Sequence, residues 1–162
     1  MMPFTSLVFR QSILMTLSLA GFIFSCSTPQ REWEICQIST PTPDFNGTSY
    51  FLCSGNELNP LELEVTRTLS GVRFYINLLA YGAVGLPEDP SRTRVSIDVD
   101  EEATWEVYPS ILEGGQRLLF PFEVSDIIIG WINEGRTVTF KVGRFSISST
   151  TQHFPTLFDL YE

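Results

Sequence analysis

The sequence predicts a mainly β protein: an antiparallel β-sandwich, or a barrel-like closure of the same strands, with one or two short helices near the C-terminus. Three observations point there. Apolar and polar residues alternate in short runs along most of the chain after residue 60, the two-residue period of a strand with one wet face. Turn-forming residues separate those runs at spacings that suit hairpins. Thirteen Phe, five Tyr and three Trp supply bulk for one core.

In chain order, residues 33–35 and 50–52 are short strand candidates, separated by a loop at 39–48 that holds two prolines, Gly47 and several hydroxyl residues. Within it Asn46-Gly47-Thr48 is a glycosylation sequon that matters only in a eukaryotic secretory route; behind a bacterial leader it is a turn. Leu61, Leu63 and Val65 alternate with Glu62, Glu64 and Thr66. Ser70-Gly71 offers a hairpin turn into Val72, Phe74, Ile76 and Leu78. Val95, Ile97 and Val99 follow, then a turn at Asp100-Glu101-Glu102 leading to Trp105 and Val107. Residues 118–122 form a short apolar strand. Val138, Phe140 and Val142 alternate with Thr137, Thr139 and Lys141, and Gly143 permits a turn or bulge into Phe145 and Ile147.

Two segments break the two-residue period. Ser125 is placed to cap a helix, with Asp126 at its positive end, Ile127, Ile128, Trp131 and Ile132 on one stripe, and Gly135 as the stop. A second helical turn is expected over 155–161, with Pro155 near its first position.

Residues 1–25 read differently. Arg10 is their one charged residue, and an apolar run from Ile13 to Phe24 ends at Ser25-Cys26. That run covers about 18 Å as a helix, short of a hydrocarbon core of about 30 Å. A removable secretory leader fits it. Residues 26–32 then read as a tether and 33–162 as a single β-rich domain. The run Ile23-Phe24-Ser25-Cys26 resembles the lipobox of bacterial lipoproteins; Ile23, Ser25 and Cys26 fill their positions and Phe24 stands where a small residue is usual. The resemblance implies that Cys26 opens the mature chain carrying lipid, a membrane partner held at about 0.8 kcal/mol per buried methylene. With no aspartate at position 27, it also implies the outer membrane. Plain secretion after Ala20 or Ser25, and a retained leader, are the other readings.

Three cysteines are present. With Cys26 given to lipid, Cys36 and Cys53 are left to pair as a structural disulfide, stable in the periplasm or outside. A metal or redox role lacks a Cys-x-x-Cys spacing, and no cofactor is implied. Net charge is −9 and every carboxylate lies beyond the leader. That sign excludes a nucleic-acid backbone partner and suits solubility or a basic protein partner.

The stretch from Val124 to Leu160 resembles the C-terminal half of periplasmic β-sandwich domains of the invasion-associated locus B type. Its matching pieces are the helix ending at Gly135, the strand at 137–142, the strand at 145–148 and the aromatic-led end from Phe154. The resemblance implies a fold and no reaction.

Candidate chemistry is sparse. Asp98 and Asp100 share a strand face and, with Glu101 and Glu102, could hold a hard cation; a solvated hairpin tip is the favoured reading. His153 could serve a hydrolase as general base, but it sits in no recognisable nucleophile frame and reads as a surface or capping residue. Trp33, Trp105 and Trp131 are expected in the core. Arg92 and Arg94 flank a loop with Pro87 and Pro90 that could meet a partner; a charged loop end is the favoured reading. The expectation is a non-enzymatic envelope lipoprotein acting as a binding or structural module, with an acidic, lipid-anchored inhibitor of a hydrolase such as lysozyme as the alternative.

Overall fold

The computed structural model describes residues 32–38, 47–54, 58–149, 151, 154–156 and 160. Ten strands and one helix are assigned: β1 (Glu34–Ile38), β2 (Gly47–Cys53), β3 (Leu61–Thr68), β4 (Gly71–Leu78), β5 (Val95–Val99), β6 (Ala103–Val107), β7 (Ser110–Ile111), β8 (Arg117–Leu119), α1 (Phe122–Asn133), β9 (Val138–Val142) and β10 (Phe145–Ser148). They make two antiparallel sheets, β1-β2-β3-β4-β8-β7 and β10-β9-β5-β6. Among the described residues no helix is long and apolar enough to cross a membrane.

The alternation read from the sequence is what brings the sheets together. Leu61, Leu63 and Val65 of β3 and Val72, Phe74, Ile76 and Leu78 of β4 are all buried, as are Val95, Ile97 and Val99 of β5 and Val138, Phe140 and Val142 of β9. Phe74 stacks on Phe140 with ring centroids 5.1 Å apart, and Phe120 meets Phe74 edge-on at 5.3 Å, so one aromatic cluster joins the sheets. Each such side chain contributes about 1.5–3 kcal/mol through burial. That is sandwich packing.

Helix α1 packs on β4 and β9. It begins four residues earlier than expected, after Pro121, with no side-chain cap. Ser125 is inside the first turn and buried: its hydroxyl donates to the Pro121 carbonyl and accepts the Phe74 N–H from β4. A cap was expected because serine precedes the apolar stripe; the fixed φ of Pro121 starts the helix instead. The buried stripe is Ile128, Ile129 and Ile132, while Ile127 is exposed. At the other end Gly135 has φ +84°, its N–H bonds Ile132 O, and Arg136 N–H bonds Trp131 O. This Schellman closure needs a residue without a Cβ penalty at the glycine.

The hairpin between β5 and β6 turns through Asp100 and Glu101, both at positive φ (52° and 63°). Asp100 is held there by accepting from Arg136 Nε at 2.7 Å and Thr137 N–H at 2.8 Å. At the far C-terminus only Leu160 of the expected second helical turn is described beyond residue 156. It is buried, and its N–H bonds Thr156 O.

The expected Cys36–Cys53 bridge is not formed: Cys36 is a free, exposed thiol and Cys53 is disulfide-bonded. The register explains why. Cys36 lies opposite Ser49 on β2, four residues from Cys53, or about 13 Å along the strand. A disulfide requires Cα atoms within about 7 Å. Counting cysteines could not reveal this register. Cys26, the leader at 1–25 and His153 lie outside the described residues.

Candidate functional site

The outward face of the four-stranded sheet carries Ser96 on β5, Glu106 on β6 and Lys141 on β9, side by side in the ladder. Residues 81–88 cross beside it and enclose a half-open cleft of about 750 Å³. Backbone and side-chain bonds fix this loop: Ala83 N–H to Gly115 O at 2.7 Å, Leu86 N–H to Arg92 O at 2.9 Å, and Thr93 Oγ1 to Val84 O at 2.8 Å. Gly85 is required where the loop passes Pro90, because a Cβ there would lie 2.5 Å from the Pro90 carbonyl oxygen.

Three of the four charges lining the cleft, Arg94, Glu106 and Lys141, are held in ion pairs, and Glu88 is the fourth. Arg94 Nη1 is 3.8 Å from Glu106 Oε1, with both side chains at least half exposed, and Tyr108 Oη donates to Glu106 Oε2 at 3.3 Å. Lys141 pairs with Asp98, which also accepts from Thr104 Oγ1 at 2.7 Å. Those two bonds, led by the lysine, hold the Asp98 carboxyl below its ordinary range. Tyr81 packs its ring on Phe145 with centroids 5.0 Å apart, and its buried hydroxyl has no hydrogen-bond partner among the described residues. Burial pushes the Tyr81 phenol up, opposed by Arg144.

A second polar assembly occupies the outward face of the six-stranded sheet. Glu64 is 3% exposed although its strand partners place it on that face. Arg117 Nη2 reaches it at 2.7 Å, the Thr66 and Ser49 hydroxyls donate at 2.7 and 3.2 Å, and Asn77 Nδ2 bridges it to Glu62 at 2.9 and 2.8 Å. The Arg117 guanidinium also lies over the Tyr75 ring, 3.9 Å from its centroid. Burial pushes the Glu62 carboxyl up, with Asn77 opposing. Every polar arm of Glu64 is engaged within the sheet, so this assembly ties four strands together.

The sequence-derived candidates scatter. Asp98 is bound by Lys141 on β9 and Asp100 by Arg136 in the segment between α1 and β9, and among the described residues no group of three metal-ligating side chains converges. Trp33 is buried as expected and Phe154 meets it edge-on at 4.9 Å. Trp105 is not a core residue: it is 47% exposed because β6 ends its sheet, and it meets the half-buried Trp131 edge-on at 5.1 Å. Arg94 lines the cleft, whereas Arg92 turns to Asp89 at 3.5 Å. Tyr81, Ser96, Tyr108 and Lys141 were missed as site residues. The usable signal was Lys141, the chain's one lysine, on the polar side of an alternating strand. Comparison with protein-family models, curated proteins and solved structures finds no match.

Proposed function

We propose that the chain is an exported cell-envelope protein, held to the membrane by lipid on Cys26, whose sandwich is a non-enzymatic binding module. The observation that carries the binding reading is the cleft under residues 81–88. Arg94 and Lys141 are each paired with a carboxylate, its loop is fixed by three hydrogen bonds, and Tyr81 and Tyr108 line it. A preformed cleft with two aromatic walls and exchangeable exposed ion pairs suits a polar, extended ligand such as a peptide strand or glycan chain.

Export is supported by the leader pattern of residues 1–25. The placement on the outer membrane, at its periplasmic or surface face, follows the lipobox-like run. A thioether lipid and a disulfide make exclusive claims on one sulfur. Since Cys36 is free and the chain has three cysteines, an intrachain bridge to Cys53 would need Cys26.

The binding reading is tested with a photo-crosslinking residue at Ser96, on the cleft floor, in intact cells. A defined envelope component should be captured, and Lys141→Glu should abolish the adduct while thermal unfolding stays cooperative. Failure to capture anything, or a hydrolytic turnover lost on substituting Arg94 or Lys141, would overturn it.

A further inference from the structure

The outer edge of β6 is a second surface of the four-stranded sheet, adjoining the cleft through Glu106. Among the described residues nothing pairs with the outer side of β6, and Ala103, Thr104, Trp105 and Glu106 are all exposed. Five residues of strand present about 17 Å of unpaired N–H and C=O groups. Sheet edges are ordinarily blunted by proline, lysine or a bulge, and β6 has none of these.

The two faces flanking that edge differ in chemistry. On the side facing α1, Trp105 is 47% exposed, and Ile127, one helical turn before Trp131, is 42% exposed. On the other side stand Thr104 and Glu106, opposite Asp98 and Ser96. The surroundings are acidic. Arg136, bonded to Asp100, sits among the charges of Asp100, Glu102 and Glu134, three carboxylates for one guanidinium. Glu101 adds a fourth carboxylate at the turn.

We propose that the free edge of β6 receives an extended segment of another protein in which apolar and basic side chains alternate, adding it as a fifth strand to the sheet. Backbone groups of the segment complete the β6 ladder, its apolar side chains cover Trp105 and Ile127, and its cations meet the surplus carboxylates. A second copy of this chain is a poor occupant, since its β6 (Ala103–Val107) carries no cation to meet these carboxylates.

The test uses the full chain and a capped peptide of alternating valine and lysine, with a valine–glutamate peptide as control. Binding is followed by tryptophan fluorescence and by hydrogen exchange. The valine–lysine peptide should bind saturably and slow exchange of the amides of residues 103–107. Raising salt from about 50 to 300 mM should weaken binding about tenfold, the size of two or three exposed ion pairs. Trp105→Ala should weaken it by a similar factor. Should that variant unfold, Glu102→Gln with Glu134→Gln, both at exposed positions, supplies the second arm and should reduce affinity and flatten the salt dependence. Unchanged exchange at β6, equal binding of the glutamate peptide, or self-association abolished by Trp105→Lys would each overturn the proposal; the last would assign the edge to a second copy.

Discussion

Replacing Arg117 by methionine probes the most unusual feature of the six-stranded sheet, a buried carboxylate on its outward face. The Glu64 side chain is 4% exposed and that of Arg117 is 40% exposed, with 2.7 Å between Nη2 and Oε1. Removing one member of a fully buried pair costs about 3–5 kcal/mol, because the remaining charge loses its partner without regaining water. Here water reaches the arginine side, and Asn77, Ser49 and Thr66 still donate to Glu64, so the electrostatic loss falls to about 2 kcal/mol. Loss of the cation over Tyr75 adds about 0.5–1 kcal/mol, since methionine keeps the apolar contact but not the charge. The sum is a destabilisation of about 2.5–3 kcal/mol. Urea unfolding at pH 7 measures it, with an unchanged m-value showing that the folded state is intact. In a cycle with Glu64→Gln, the two substitutions together should cost less than their sum by about 1–2 kcal/mol. A loss below about 0.5 kcal/mol, or strict additivity, would mean that Glu64 is adequately held by hydroxyls and amide alone, and the reasoning would fail.

Other consequences are equally direct. Glu101→Gly relieves a left-handed residue at φ +63° and should stabilise by about 0.5–1 kcal/mol in thermal or urea unfolding, after allowing for the greater chain entropy of glycine; Asp100→Gly should destabilise, because it also removes the bonds to Arg136 and Thr137. Because burial raises the folded pKa of Glu62 above its ordinary value of 4.5, stability from this group is lost as pH rises from that value through the folded pKa. Glu62→Gln should therefore stabilise at pH 7 and give no gain near pH 4, by urea unfolding at both values. Gly85→Ala drives a methyl into the Pro90 carbonyl and should cost about 1–3 kcal/mol, with the crosslink from Ser96 weakened.

Much of the fold was legible because burial imposes a two-residue period on the strands. The alternation at Leu61, Leu63 and Val65, and again at Val138, Phe140 and Val142, marks residues that are buried in the two sheets. The short β7, paired through only Ser110 and Ile111, carries too few residues to show any period. Glu64 looked like a wet-face residue, since alternation cannot tell that Arg117, 53 positions later, folds over it. Trp105 looked like core because its strand alternates; its exposure follows from being the last strand of its sheet, which depends on long-range order. The cysteine pairing failed for the same reason, as strand register decides which sulfurs can meet. The cleft was legible only in part: Arg94 was singled out beside the proline-containing loop, while Ser96, Lys141 and Tyr108 gather there only once β5, β6 and β9 are aligned.

Mass spectrometry of protein extracted from native membranes tests in one experiment how the domain is held at the envelope. The prediction is a mature chain beginning at Cys26, with a diacylglyceryl thioether and an acylated amine on that residue. A peptide joining Cys26 to Cys53 through a disulfide, or a cytosolic chain with its leader intact and unmodified, would contradict the lipid anchor.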